Sequence, residues 1–285
     1  MNLSSPSEIK ALLQKNGFRF SKALGQNFLI DPTVCPRMAE AAIPGPDYGV
    51  IEIGPGIGVL TVELAKRAKK VVAIELDERL FPILDETLAD YDNVKVVPGD
   101  VLEVDLHQLI AEEFTREDGS LMPLAICANL PYYITSPVIM KLLSERLPVD
   151  DLTVMVQKEA ADRLCADVGT RAAGAVTVAI RYYADAEKLF FVKKGAFMPA
   201  PKVDSEVIRL TLRDAPNEVA NEDGFFTMVK AAFGQRRKTI MNSLAAGLGM
   251  SKDDLGDLLD RLSIPRTARI EQLTMEQLIS IYNNK

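Results

Sequence analysis

Apolar residues along this chain fall into short runs separated by segments of helical period. The runs are 50–53, 71–74, 94–97, 124–128 and 152–156, each too short for a helix and each bounded by turn residues. Between them, 59–68, 78–88 and 136–143 carry apolar residues three and four apart, as does 158–166 after the last run. A run without alternation is a strand covered on both faces, and a strand–helix repeat builds a doubly wound sheet with parallel strands. Ahead of the first run, 7–16 reads as an amphipathic helix and 18–30 as an irregular aromatic segment. Asp31-Pro32 reads as the start of a helix reaching residue 42. Beyond the fifth run, 173–183 is helical, and 188–192 with 207–212 predicts an antiparallel hairpin at the sheet edge. After Asp214-Ala215-Pro216-Asn217 every segment has helical period: 224–233, 238–246, 252–259 and 275–282. Thr274 and Gln277 form a capping-box pair. The expected organisation is a domain over 1–213, with a helical segment at 1–45, followed by an all-α domain over 214–285.

Composition narrows the classes. At 285 residues and 48% hydrophobic, the chain can bury a sizeable core, and it has no apolar run of membrane-spanning length. The N-terminus lacks a basic-then-apolar leader pattern, so a cytoplasmic protein is expected. Three scattered cysteines suit a reducing compartment and form no metal spacing. His107 is the single histidine, which argues against a histidine triad or a zinc site and reads as solvent-facing; no metal is expected. The net charge of −7 argues against a uniformly RNA-binding surface. Gln235-Arg236-Arg237-Lys238, Lys193-Lys194 and the lysines of 66–70 are nevertheless local positive clusters.

The first strand ends in Gly54-Pro55-Gly56-Ile57-Gly58, and a helix follows at once. Glycine permits positive φ and close ligand approach, and the helix start presents unpaired N–H groups. The second run ends in Glu75, an acid suited to the two hydroxyls of a ribose, and the third is followed by Asp100. The dinucleotide fingerprint would need a third glycine where Val59 stands. The tight triple glycine with an acid at the next strand end resembles the first motif of S-adenosylmethionine methyltransferases. A turn without ligand is the plain alternative for these glycines taken alone.

The fourth strand ends in Asn129-Leu130-Pro131-Tyr132. Similar tetrapeptides occupy this place in enzymes that methylate exocyclic amines of bases. The adenine amine has its lone pair delocalised into the ring and is a poor nucleophile. The Asn129 side-chain oxygen and the Leu130 carbonyl can accept its two N–H bonds, Pro131 stiffens the turn, and Tyr132 offers a stacking face. Alignment would supply most of the rate, and no strong base is needed. Phe197, braced by prolines in F-M-P-A-P-K-V-D-S, reads as a second stacking platform opposite Tyr132, or else as a core aromatic.

Several stretches carry a resemblance to the ribosomal RNA adenine dimethyltransferases, above all the bacterial small-subunit type. They are Leu24-Gly25-Gln26-Asn27-Phe28-Leu29, the turn at 52–58, Asn129-Leu130-Pro131-Tyr132, Gln157-Lys158-Glu159, the loop 197–205 and Phe233-Gly234-Gln235-Arg236-Arg237-Lys238-Thr239. The likeness covers about 18–245. It implies an α/β fold, a Rossmann-like class I S-adenosylmethionine methyltransferase sheet with a small all-α C-terminal domain. It implies S-adenosylmethionine as cofactor, with contacts from Asn27, Leu29, Gly54, Gly56, Glu75, Asp100 and Asn129. It implies dimethylation of N6 of two adjacent adenosines near the 3′ end of small-subunit ribosomal RNA, with a part in late ribosome assembly. The partner is then small-subunit RNA in a pre-30S particle, met by a monomer off the membrane. Lys22, Arg236, Arg237 and Lys238 are the expected RNA-binding cations. A non-catalytic RNA-binding assembly or transcription factor on the same scaffold, and a large-subunit RNA methyltransferase, are the alternatives.

Overall fold

The computed structural model describes residues 1–20, 25–213 and 218–285. Its strands are β1 Phe28–Leu29, β2 Gly49–Ile53, β3 Lys70–Glu75, β4 Val94–Pro98, β5 Leu124–Asn129, β6 Asp151–Gln157, β7 Ala184–Val192, β8 Phe197–Met198 and β9 Ser205–Leu212. The five apolar runs are β2 to β6. Every residue of β2 is buried, as are 71–75 of β3 and 124–128 of β5. Strands so covered gain from an apolar residue at each position, which is why the runs do not alternate.

Seven strands form one sheet in the order β4-β3-β2-β5-β6-β9-β7. The pairs from β4 through to β6 are parallel. β9 runs antiparallel to β6, and β7 lies beyond it at the edge. This is the expected α/β sheet with a reversed edge. From β2 the chain goes first to one side, through β3 and β4, and then to the other, through β5. Such a reversal opens a crevice beyond the carboxyl ends of the strands.

Local differences have local causes. The helix expected from Asp31 starts at Val34, because Asp31 Oδ1 closes a turn by accepting from the Thr33 N–H at 2.9 Å and hydroxyl at 2.7 Å. β1 was not expected. It pairs antiparallel with β8, Leu29 opposite Phe197, and ties the aromatic N-terminal segment to the loop after β7. The Phe28 ring packs against Phe18 and Phe20 at 6.2 and 5.2 Å between centroids.

The chain divides into two compact units, Met1–Ala161 with Glu187–Leu212, and Asp162–Ala186 with Arg213–Lys285. In the first, one apolar cluster gathers Met38, Leu64, Val71, Met155 and Phe197, and another gathers Ile9, Phe28, Ile57 and Leu84. The second unit holds the helices Ala175–Tyr183, Glu222–Gly234, Ile240–Leu248, Lys252–Arg261 and Met275–Asn283. The boundary expected at 213/214 therefore needs correction for 162–186, which groups with the C-terminal helices. Tyr182 and Tyr183 explain the grouping: their rings pack on Phe225 and Phe226 at 5.3–5.8 Å, and both hydroxyls donate to the Glu222 carboxylate. The capping box forms as read, with Gln277 N–H donating to Thr274 Oγ1 and Thr274 N–H to Gln277 Oε1. Arg236, Arg237 and Lys238 differ from expectation in lying in a turn rather than at a helix start. Lys238 N–H bonds the Gln235 carbonyl, Thr239 bridges to Arg269, and the helix begins only at Ile240.

Candidate active site

The strand order β4-β3-β2-β5 sets the ends of four strands side by side, and so sets Asp100, Glu75, Gly54 and Asn129 in one row. All four line a single cleft of about 1090 Å³, counted to its open mouth. The glycine turn forms its floor. Gly54 and Gly56 have φ of +70° and +61°, where a side chain is strained. A Cβ on Gly56 would also press to 3.2 Å from the Phe28 ring, whereas nothing lies within 4 Å of one on Gly54. The backbone at Gly54 is thus open to a ligand.

Glu75 closes one side. Its Oε2 accepts from Gly56 N–H at 3.2 Å and its Oε1 from Asp77 N–H at 2.8 Å. Burial raises its pKa, and these backbone bonds, with one from Leu76, counter the rise. A carboxylate has about four acceptor positions, so those left over can take a pair of hydroxyls. Asp77 is itself clamped by Arg79, which lowers its pKa, and by Gln26 Nε2 at 2.7 Å. Glu52, one of the residues the sequence reading passed over, lines the same cleft. It is buried in β2, and burial pushes its pKa up to about 8; the nearby Glu75 charge adds to the rise and the Thr61 hydroxyl opposes it. Its Oε2 has no hydrogen-bond partner among the described residues. An acid inside an otherwise apolar buried strand was the available signal.

Asp100 lies half-buried, one oxygen accepting from Leu102 N–H at 2.9 Å and the other oxygen without a protein partner among the described residues. Asn27 and Leu29 reach the cleft because β1 pairs with β8; the Asn27 amide donates to the Gly25 carbonyl at 2.8 Å. Asn129 is the last residue of β5, opposite Met155, and Leu130 N–H donates to the Met155 carbonyl at 3.2 Å. No described hydrogen bond engages the Asn129 side chain, so its amide stays available at the cleft. Tyr132 is held from its far end, its hydroxyl 2.8 Å from Ser205 Oγ. Ser205 is wholly buried at the start of β9. Phe197 lines the cleft but is only 4% exposed and belongs to the core cluster. Tyr133, which the sequence reading also passed over, stands at the rim 55% exposed.

His107 is exposed, its Nε2 2.9 Å from the Glu145 carbonyl. No cluster of metal-ligating residues occurs among the described residues. No described helix is long and apolar enough to cross a membrane. Lys22 lies outside the described residues. Arg236 and Arg237 line a separate cavity within the helical unit, and Lys238 is exposed in the same turn.

Comparison with known proteins agrees with this geometry. The family model described as ribosomal RNA adenine dimethylase matches residues 17–285. A ribosomal RNA small subunit methyltransferase A of Geobacillus thermodenitrificans is 48% identical over 99% of this chain and 96% of its own. One of Bacillus mycoides is 49% identical over 99% and 97%. Among solved structures, a dimethyladenosine transferase from Plasmodium falciparum matches with TM-score 0.71 and 24% identity, over 87% of this chain and 94% of its own. The 23S rRNA methyltransferase ErmE matches with TM-score 0.66 and 29% identity, over 90% and 98%.

Proposed function

The chain belongs to the ribosomal RNA adenine dimethylase family, and from that premise we infer that it dimethylates N6 of adenosines in small-subunit ribosomal RNA, with S-adenosylmethionine as methyl donor. The observation that carries this reading is the unengaged Asn129 amide beside a cleft with two strand-end acids and an open glycine turn.

The residues present fit the cofactor. Glu75 has acceptor capacity left for the ribose hydroxyls, Asp100 has a free oxygen for the adenine amine, and Gly54 leaves the backbone approachable. Asn27 and Leu29 complete the wall. When bound, S-adenosylmethionine supplies an electrophilic methyl group on a sulfonium.

The remaining work falls to this chain. The Asn129 side-chain oxygen and the Leu130 carbonyl accept the two N–H bonds of the target amine. That geometry favours a tetrahedral nitrogen whose lone pair points into the cleft, and it counts most at the transition state. The Tyr132 ring stacks on the adenine, and Phe197 supplies the facing wall. As the nitrogen gains a methyl group its proton becomes acidic; Asn129 Oδ1 holds it until water takes it. After the first methyl only one N–H remains, so one acceptor suffices and the other must leave room for a methyl group. The two adenosines are adjacent and near the RNA 3′ end, the substrate is a pre-30S particle in the cytoplasm, and a single chain without metal performs both steps. The helical unit, with Arg236, Arg237 and Lys238, together with Lys22, holds the RNA backbone.

The test is product analysis by mass spectrometry on unmethylated small subunits. The wild-type protein should yield N6,N6-dimethyladenosine, and Asn129→Ala should stay folded and transfer little methyl. Accumulation of monomethyladenosine alone by the wild type on a competent subunit would exclude the dimethylase reading.

A further inference from the structure

Large apolar side chains open to solvent are few among the described residues, and only two of them, Leu76 and Tyr133, line the cleft. Leu76 follows Glu75, on the side read as the cofactor seat. Tyr133 follows Tyr132, on the side read as the target pocket, and its ring stands at the rim.

The two neighbouring tyrosines are held differently. Tyr132 is half-buried and fixed through its hydroxyl by Ser205. The Tyr133 hydroxyl makes no hydrogen bond among the described residues. Its ring rests on the backbone instead. A Cβ on Gly25 would lie 3.4 and 3.5 Å from Cε1 and Cδ1 of that ring, and 3.7 Å from Pro131 Cβ. Gly25, at φ of +58°, therefore seats one edge of the ring and leaves the rest in water.

A single exposed aromatic needs no special cause; the place of this one gives it a use. Extruding a base from a strand into a pocket breaks its stacking on both neighbours. The cleft cannot hold those neighbours by their phosphates. Among the described residues no lysine or arginine lines it, and its acids are Glu52, Glu75 and Asp100. An aromatic face is what remains to receive an unstacked base, with purines gaining most from the contact.

We propose that Tyr133 stacks on the nucleotide next to the target adenosine, replacing the stacking that extrusion removes and favouring a target with a purine at that side. This rests on the reading that Asn129 and Tyr132 receive the target adenine. The stack forms on binding and persists through methyl transfer, so it lowers KM and leaves kcat to the groups around the amine.

The experiment uses the full chain and unmethylated small subunits, with KM and kcat measured separately. Tyr133→Ala should raise KM about tenfold at nearly constant kcat, the loss of one base–aromatic stack. Tyr133→Phe should keep the wild-type KM, because the ring and not the hydroxyl makes the contact. S-adenosylmethionine affinity, read by calorimetry, should be the same in both variants and the wild type. Subunits carrying a purine or a uridine at each neighbour of the target in turn then identify the partner. At one neighbour the uridine should raise KM for the wild type and leave that of Tyr133→Ala where it is. A wild-type KM in Tyr133→Ala would overturn the stack, as would a loss that Tyr133→Phe does not restore. Weakened cofactor binding in Tyr133→Ala would make the ring a brace for Gly25 and the adjoining Asn27, and losses that add at both neighbours would mean it touches neither; each result overturns the proposal. A wild type that dimethylates no adenosine on these subunits would instead overturn the reading beneath it.

Discussion

Glu52→Gln tests the electrostatics of the cleft floor. The Glu52 carboxyl titrates near 4.5 when solvated and is pushed up to about 8 by burial in β2. Between those values the folded chain keeps a proton that the unfolded chain has released. Stability therefore falls as pH rises through this window, by up to about 1.4 kcal/mol per pH unit. From pH 5 to pH 7 this one group should cost about 2–3 kcal/mol. The glutamine side chain has nearly the same shape as the glutamate, keeps an acceptor oxygen for the Thr61 hydroxyl and has no proton to lose. Other titrating groups contribute equally to both proteins and cancel in the difference. The assay is urea unfolding of cofactor-free protein at pH 5, 6 and 7, read by amide exchange in β2 and β5 so that only the sheet-bearing unit is followed. The variant should gain about 2–3 kcal/mol on the wild type across that range. Curves that stay parallel would show that Glu52 is ionised in the folded protein, and the account of the cleft floor would fail.

Other consequences are separately measurable. Glu75→Ala should weaken S-adenosylmethionine binding by about 1–3 kcal/mol, the loss of a charged acceptor for the ribose hydroxyls; unchanged affinity by calorimetry would remove the assignment. Ser205→Ala and Tyr132→Phe each break the hydroxyl contact that orients the Tyr132 ring, so each should lower methyl transfer by a similar factor. The double variant should be no worse than either one, with cofactor affinity unaltered. Additive losses in that cycle would mean the two side chains act independently.

Much of the fold was legible because it follows from short-range pattern. Unbroken apolar runs marked strands covered on both faces, helical period marked the layers, and the glycines of 54–58 occupy positions of positive φ. Glu75, Asp100 and Asn129 could be picked out because each directly ends or follows such a run. Where these ends stood relative to one another depended on the sheet order, which parallel pairing and packing of whole faces decide.

The features that escaped the sequence join residues far apart along the chain. Ser205 meets Tyr132 across 73 residues, and β1 meets β8 because the loop after β7 folds back onto the N-terminal segment. The helix Ala175–Tyr183 has an ordinary amphipathic pattern, and only the aromatic surface of Phe225 and Phe226 decides which unit it joins. Arg171 and Arg269 stand far along the chain from Arg236 and Arg237, and only the fold sets all four around one cavity. Local periodicity and turn chemistry fix conformation over a few residues. Which buried surfaces find each other is a property of the whole packed chain, and it is there that the ring anchor and the arginine cavity arise.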